Sequence, residues 1–273
     1  YATGLRPSQV RTIRKEMTHA TVAQFAALSS RWLIILTTMP PFTDVRVRRA
    51  VSLAVDRQAA IKVLEEGEAD IGTVFVPGSD WAMPEAELLK LPGFRQPKDA
   101  DVAEAKKLLA EAGFPKGFKT KILARAKYTD DVAVLMKEQL AKVGIELELV
   151  VQESAVFLQQ AYEQIYPMVA QPRGLKTSDP EQFSGYFVSG APQNNMALAN
   201  EDVDTLFAKQ SRATDPAERK KIVRQLDEKL LELSPTVPLF WIRGNIAYWP
   251  EVKNYYRGKV YSTNKFQDVW LAK

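Results

Sequence analysis

The most constraining feature of this sequence is a strand, a helix and a second strand that follow one another between residues 118 and 151. Residues 118–124 are predicted to form the first strand, and residues 130–143 the helix, which stops at Gly144. Apolar and charged residues then alternate through residues 145–149, the period of a half-buried strand. Such a unit is a right-handed crossover, which makes its two strands parallel. The sequence therefore predicts an α/β fold with an at least partly parallel sheet covered by helices.

The turn after the first of these strands is a candidate ligand site. In open α/β sheets, ligands collect beyond the carboxyl ends of the strands. Arg125, Lys127 and Tyr128 occupy that position, beside the free N–H groups at the start of the next helix. The alternative is an ordinary charged loop in contact with solvent, and both interpretations stay open on the sequence alone.

The rest of the chain also alternates between helices and strands. Further strands are predicted over residues 31–38, 167–170 and 237–249, and further helices over residues 45–65, 99–112, 154–164, 202–210 and 216–233. Proline and glycine interrupt residues 67–98, which are therefore predicted to be a loop region.

Composition removes most kinds of catalytic and metal site. The 273 residues include no cysteine and one histidine, His19, which excludes cysteine-based zinc sites, thiol nucleophiles and multi-histidine metal sites. A serine triad would have to use His19, whose polar surroundings favour a surface position. No phosphate-binding glycine motif occurs, so no cofactor is predicted. The net charge of +4 comes from scattered basic residues, which argues against a nucleic-acid partner. No apolar run approaches the roughly 20 residues that span a bilayer.

A second informative stretch runs from Pro40 to Ile61. Its two prolines end the preceding strand, Asp44 is placed to cap a helix, and apolar residues follow at three- and four-residue spacing. This stretch resembles the start of the second lobe in the extracytoplasmic solute-binding proteins of ABC importers, in the peptide- and nickel-binding family 5. The resemblance continues in order through residues 103–118, 139–145, 179–183, 200–206, 214–219 and 238–240, and covers roughly residues 20–256.

The resemblance implies a fold, the type II periplasmic-binding-protein-like lobe. This lobe is a mixed sheet flanked by helices, accompanied by hinge strands and a remnant of a first lobe. Residues 42–236 would form the second ligand-binding lobe, and residues 1–41 and 237–273 the hinge strands and partial first lobe. Strands 31–38 and 237–249 should then lie side by side. Because family members are about twice this length, we expect a piece of a longer chain. We expect it to self-associate, or to pair with another polypeptide, through apolar surface around Trp32, Trp241 and Trp249.

The resemblance also implies a function without catalysis. A small solute, peptide-like or anionic, would bind between two lobes, and the partner would be an ABC permease in the membrane. The location would be periplasmic or extracytoplasmic, with a lipid anchor possible in the full-length protein. A ligand-sensing or protein-interaction module built on the same lobe is the alternative. A hydrolase that uses Asp80 or Asp179 is the less favoured third interpretation.

One departure from the family pattern concerns the ligand. In peptide-binding relatives, a tryptophan and an acidic residue precede the Asp-Pro motif, and the acidic residue receives the ligand's amino group. Counting back from Asp179 places Arg173 and Lys176 at these positions. Two cations would favour a carboxylate or phosphate over an ammonium group. The alternative is an alignment shifted by one residue, or two side chains that face solvent.

Aromatic residues could supply the flat apolar walls that ligand pockets need. Trp81 and Tyr128 are candidates, whereas Phe183 is better explained by core packing. The nickel-binding branch is disfavoured, since one histidine offers little for a metal or a metal chelate.

Overall fold

The computed structural model describes residues 2–255 and 267–272, and its centre is one mixed sheet. The seven strands are β1 (Ala2–Thr3), β2 (Thr21–Ile35), β3 (Ala69–Asp70), β4 (Phe118–Arg125), β5 (Ile145–Gln152), β6 (Met168–Gly174) and β7 (Thr236–Tyr248). Their order is β1-β7-β2-β6-β4-β5, and β3 also pairs with β7. A separate two-stranded ribbon joins β8 (Val252–Lys253) to β9 (Trp270–Leu271).

Helices connect and cover these strands. They are α1 (Pro7–Glu16), α2 (Val45–Ala54), α3 (Arg57–Leu64), α4 (Glu85–Leu88), α5 (Asp99–Glu111), α6 (Asp130–Ala141), α7 (Ser154–Tyr162), α8 (Ser184–Phe187), α9 (Glu201–Arg212) and α10 (Pro216–Leu233), with a 3₁₀ helix at Pro180–Phe183. Among the helices of residues 2–255 and 267–272, none combines the length and the apolar character that a membrane span requires.

The predicted strand–helix–strand unit is confirmed. Strands β4 and β5 pair in parallel along their whole length, from Phe118 opposite Ile145 to Arg125 opposite Gln152. Strand β6 joins β4 in parallel on its other side. The two glycines that immediately precede these strands lie in close contact, because a Cβ on Gly117 would lie 1.9 Å from the carbonyl oxygen of Gly144.

The sheet separates two apolar cores. One face packs against α2, α3, α5 and α6, around buried residues such as Val51 and Met136. The other face packs against α7, α8, α9, α10 and the segment 74–76, around Trp32 and Phe157. Burying both faces of a sheet in this way is the arrangement expected of an α/β protein.

The predicted contact between the two flanking strands is also confirmed. Strand β2 runs antiparallel to β7, with Trp32 opposite Pro238 and Ile34 opposite Thr236. The same stretch of β2 pairs with β6 on its other edge. The sheet therefore passes without a break through both strands, and the division of the chain at residues 42 and 236 stays a prediction.

Two local expectations were wrong. The predicted helix 45–65 is two helices, because Asp56 interrupts the first and caps the second by accepting a hydrogen bond from the Ala59 backbone N–H. The backbone N–H of Asp56 instead donates to the side chain of Gln139, at 2.9 Å. The predicted loop 67–98 contains the short elements β3 and α4.

The expected exposed tryptophan surface was wrong for two of its three residues. Trp32 and Trp241 are buried within the second core described above. Trp32 packs edge-on against Tyr186, and the indole N–H of Trp241 donates to the backbone oxygen of Thr73 at 2.9 Å. Of these three tryptophans, Trp249 is the exposed one, at 48%. Self-association through this face stays a prediction, with one tryptophan left to support it.

Candidate functional site

The carboxyl ends of β4 and β6 meet at one edge of the sheet, as the crossover geometry requires. Strand β4 ends at Arg125 and strand β6 at Gly174, one residue after Arg173. Strand β2 passes the same level in the opposite direction, where Arg31 lies opposite Pro172. Three arginines on three neighbouring strands therefore occupy this end of the sheet.

Two of these arginines share one aromatic ring. The guanidinium carbon of Arg125 lies 3.6 Å from the centroid of the Tyr128 ring, and that of Arg31 lies 4.9 Å from it. Tyr128 is 44% exposed. Nη1 of Arg31 and Nε of Arg125 are enclosed and have no hydrogen-bond partner among the described residues. The result is a cation–aromatic cluster with unused donors, defined by Arg31, Arg125 and Tyr128.

The turn that carries Tyr128 is held by local contacts. The Arg125 backbone N–H donates to the hydroxyl of buried Thr129, at 2.9 Å, just before α6 begins. Lys127 takes a left-handed backbone conformation, φ 60°, and its side chain is exposed. The structure therefore has a turn where the sequence predicts one, and its role in ligand binding stays a prediction.

The charge of Arg31 also acts on an acidic group, Glu65. Burial raises the pKa of the Glu65 carboxyl, while the charge of Arg31 opposes that rise and the charge of Asp131 adds to it. The cluster is therefore a mixed polar region rather than a uniform cationic patch. Sequence reasoning missed Arg31, which only the pairing of distant strands brings to this turn. It also missed Glu65, the residue that ends α3.

Arg173 lies inside the molecule rather than at its surface, with 4% of the residue exposed. Its guanidinium carbon is 4.6 Å from the centroid of the Tyr186 ring and 5.7 Å from that of Trp32, and Nη2 donates to the side-chain oxygen of Asn195. Nε is enclosed without a partner in the described structure. Burial lowers the pKa of Arg173 to about 10, which leaves the side chain charged at neutral pH.

Lys176 lies beyond the end of β6, and its side chain is exposed. Its backbone N–H donates to the Gln182 side chain at 3.4 Å. The two cations that the sequence placed together therefore occupy different environments, Arg173 inside the core and Lys176 in the following turn.

Trp81 belongs to a different part of the surface. Its ring lies 4.8 Å from the guanidinium carbon of Arg219, which in turn binds Asp179 through two nitrogens, at 2.7 and 2.9 Å. No ring contact or cation–π contact within the described structure joins Trp81 to Tyr128. Phe183 is fully buried and packs edge-on against Phe75, in keeping with a core role.

The two carboxylates considered for hydrolysis also differ. The Arg219 guanidinium holds the pKa of Asp179 below its usual range, so Asp179 stays ionised and is unsuited to act as a general acid near neutral pH. Asp80 is exposed at the rim of a cavity of about 480 Å³ formed mainly by residues 70–85. Within the described ranges, no group of three or more acidic or histidine side chains is arranged to hold a metal ion.

Comparison with known proteins places this sheet edge in context. Residues 1–195 match the model of bacterial extracellular solute-binding proteins, family 5, middle region. The glutathione-binding protein GsiB of Salmonella paratyphi A is 28% identical over 234 residues, which cover 78% of this chain and 42% of that protein.

Solved structures agree in fold. The periplasmic binding protein DppA of Helicobacter pylori, in complex with the peptide STSA, has a TM-score of 0.82 and 27% identity over 99% of this chain and 52% of its own. The binding protein AgaA of Agrobacterium tumefaciens R10, in complex with agropinic acid, has a TM-score of 0.79 and 25% identity, covering 93% of this chain and 51% of its own. The chain thus spans about half the length of the proteins it matches. Since the family model covers well over half of it, the chain belongs to family 5 of the bacterial extracellular solute-binding proteins.

Proposed function

We propose that this chain supplies the second ligand-binding lobe of an ABC-importer substrate-binding protein. The protein would capture a peptide-like or anionic solute outside the cytoplasm, in a cleft between two lobes, and deliver it to a membrane permease. The observation that carries the proposal is the match of 99% of this chain to peptide-bound DppA.

The fold is consistent with binding by lobe closure. The long strands β2 and β7 pair side by side from Thr21 opposite Tyr248 to Ile34 opposite Thr236, so two adjacent strands extend past the β4–β5–β6 part of the sheet. Such a pair can serve as the connection about which a second lobe moves. A solute that touches both lobes would shift the population toward the closed state by its higher affinity for that state.

The contact residues proposed for this lobe lie mainly at the carboxyl edge of the sheet. Arg125, Lys127 and Tyr128 would face the solute from the β4 turn, and Lys176 from the turn after β6. Exposed Tyr128 offers an apolar ring with a polar tip, and the nearby guanidinium groups have unused donors. Trp81 is a weaker candidate, because its ring is occupied by Arg219 on the other side of the Asp-Pro turn.

The proposed role needs no chemical step. Asp179 forms a bidentate ion pair and caps the 3₁₀ helix by accepting from the Glu181 backbone N–H, at 2.9 Å. These contacts give it a structural task and support binding over hydrolysis.

The test is a binding measurement on the protein at its natural full length. Trialanine and glutathione are titrated by calorimetry, and small-angle scattering follows the radius of gyration with and without each compound. We expect saturable binding of at least one compound and a smaller radius of gyration in its presence. No binding of either compound, or binding without any change of shape, would contradict the proposal as stated.

A further inference from the structure

Among residues 2–255 and 267–272, three arginines are almost completely buried: Arg48, Arg57 and Arg173. Removing a guanidinium group from water is costly unless its donors and its charge are satisfied inside the protein. The three residues differ sharply in how this is achieved, and the difference singles out Arg173.

Arg57 is a buried arginine whose guanidinium nitrogens all donate hydrogen bonds within the protein. Its Nε donates to the backbone oxygen of Pro238 at 2.8 Å, and Nη1 donates to that of Gly93 at 2.6 Å. Nη1 and Nη2 also reach the backbone oxygen and hydroxyl of Ser52, both at 3.2 Å. Arg48 likewise donates to three backbone oxygens. Both residues tie separate segments of the chain together.

Arg173 has no such set of partners. Nη2 donates to Asn195, and Nε is enclosed with nothing to bond to in the described structure. Nη1 also has no protein partner in this part of the chain, but it is not among the fully enclosed atoms. No carboxylate of the described residues forms an ion pair with Arg173. One positive charge is therefore held among neutral side chains without an anion.

The surroundings hold this guanidinium in one orientation. The side-chain oxygen of Asn195 accepts the hydrogen bond from Nη2 of Arg173. Asn195 is itself held in place, because its amide nitrogen donates to the Gln171 side chain at 2.8 Å. The rings of Trp32 and Tyr186 lie on its flanks. A cation positioned by neutral groups, with an open nitrogen and no counter-ion, has the features of a preorganised anion receptor.

We infer that Arg173 receives a carboxylate group of the bound solute and so determines the class of solute that this protein accepts. This inference rests on the proposed function. A carboxylate carries one negative charge, which balances the one positive charge of Arg173. A phosphate dianion would leave an excess negative charge among the neutral groups Asn195, Gln171 and Tyr186.

The first test compares the stability of ligand-free variants. Full-length wild type, Arg173→Met and Arg57→Met are stripped of ligand by unfolding and refolding, and their midpoints of thermal unfolding are measured. We expect Arg173→Met to unfold within about 2 °C of wild type or above it, because methionine removes an uncompensated buried charge. Arg57→Met should lower the midpoint strongly or prevent folding. A loss for Arg173→Met as large as that for Arg57→Met would make Arg173 a structural residue and overturn the inference.

The second test separates the solute's carboxylate from its amine. Trialanine, N-acetyl-trialanine and trialanine amide are titrated by calorimetry into wild type, Arg173→Met and Arg173→Lys. Wild type should bind the two acids at least tenfold more tightly than the amide, the scale of one charge-assisted contact. The preference should disappear in Arg173→Met and shrink in Arg173→Lys, which keeps the charge but loses the planar fork.

The outcomes distinguish the inference from the proposed function. Equal binding of acid and amide, or a preference that survives in Arg173→Met, would overturn the role of Arg173 and leave solute binding intact. Binding of none of the three peptides would count against a peptide-like solute, and the stability comparison would then decide the inference alone.

Discussion

Arg219 donates two hydrogen bonds to the carboxylate of Asp179, from Nη2 to Oδ1 at 2.7 Å and from Nη1 to Oδ2 at 2.9 Å. This pair joins α10 to the turn that begins with the Asp-Pro motif, and Asp179 also caps the 3₁₀ helix that follows. The turn that follows β6 is therefore held in place by an arginine of another element, α10.

Removing the Asp179 pair should loosen the turn without unfolding the protein. Arg219→Ala should lower the free energy of unfolding by about 1–2 kcal/mol, because a partly exposed bidentate pair is lost. Arg219→Lys, which keeps the charge without the fork, should recover only part of this. Chemical denaturation measures both. The pKa of Asp179 is lowered in the folded state, so the contribution is present above the ordinary aspartate pKa and is lost as the pH falls through the folded value. An identical Arg219→Ala deficit at pH 7 and at pH 2.5 would contradict this account.

Asp227 should make the protein less stable as the pH rises. It is completely buried, its Oδ2 accepts from the Thr73 hydroxyl at 2.9 Å, and its Oδ1 lacks a partner in the described structure. Burial raises the pKa of Asp227 to about 7. Because the folded pKa lies above the unfolded one, the folded protein holds its proton more tightly, and stability declines between about pH 4 and pH 7.

Asp227→Asn is the matched variant for this effect. Asparagine keeps the shape and the acceptor for Thr73 but does not ionise. Relative to wild type, it should be more stable at pH 8 by on the order of 2–4 kcal/mol and nearly equal at pH 4. Denaturation midpoints at the two pH values provide the measurement. A constant difference across this range would show that Asp227 does not titrate there.

Two glycines that both have a positive φ angle test the close contact at the start of the parallel strands. Gly117 has φ +78°, and an added Cβ would overlap the Gly144 carbonyl, whereas Gly113 has φ +92° and open space around it. Gly113→Ala should cost about 1–2 kcal/mol for the left-handed conformation alone. Gly117→Ala should cost clearly more, since the β4 and β5 backbones must move apart. Equal losses in urea denaturation would mean that the close approach is unimportant.

Lys176 should contribute weakly and in a salt-dependent way. Its exposed side chain predicts at most about 1 kcal/mol for Lys176→Asp against a carboxylate-bearing solute, less than expected for a buried contact. The loss should be larger at 20 mM than at 500 mM sodium chloride when affinity is measured by calorimetry. Equal affinity in wild type and variant at both salt concentrations would make Lys176 a surface lysine without a role in binding.

The sequence predicts local features well where they depend on nearby residues. Its strand 118–124, helix 130–143 and strand 145–151 correspond closely to β4, α6 and β5. In this unit, apolar residues recur with the spacing of a strand or of a helix, which sets the type of each element. Gly144 marks the boundary between α6 and β5. The position of Asp56 shows the limit, because its cap splits one apolar pattern into two helices.

The candidate site was predictable only in part. The turn at Arg125 and Tyr128 follows from the rule about strand ends, which depends on the crossover alone. Arg31 reaches the same ring only because β6 pairs with both β2 and β4, an arrangement that no local pattern encodes. The burial of Arg173 depends on Trp32, from a distant part of the sequence, and on Tyr186 and Asn195, which lie beyond the Asp-Pro turn. Counting back from the Asp-Pro motif identified Arg173 as a candidate, but it did not indicate that the side chain is buried.

The most direct test of the account is native mass spectrometry of the full-length protein purified from its own source. We expect a stoichiometric small solute that carries a carboxylate, is released on denaturation and is recovered chemically unchanged after long incubation with the protein. Arg173→Met purified in the same way should lack it. A protein that carries no solute and retains none from an extract of its source, or that converts the solute to a product, would contradict the account of this chain as part of a non-catalytic solute-binding protein.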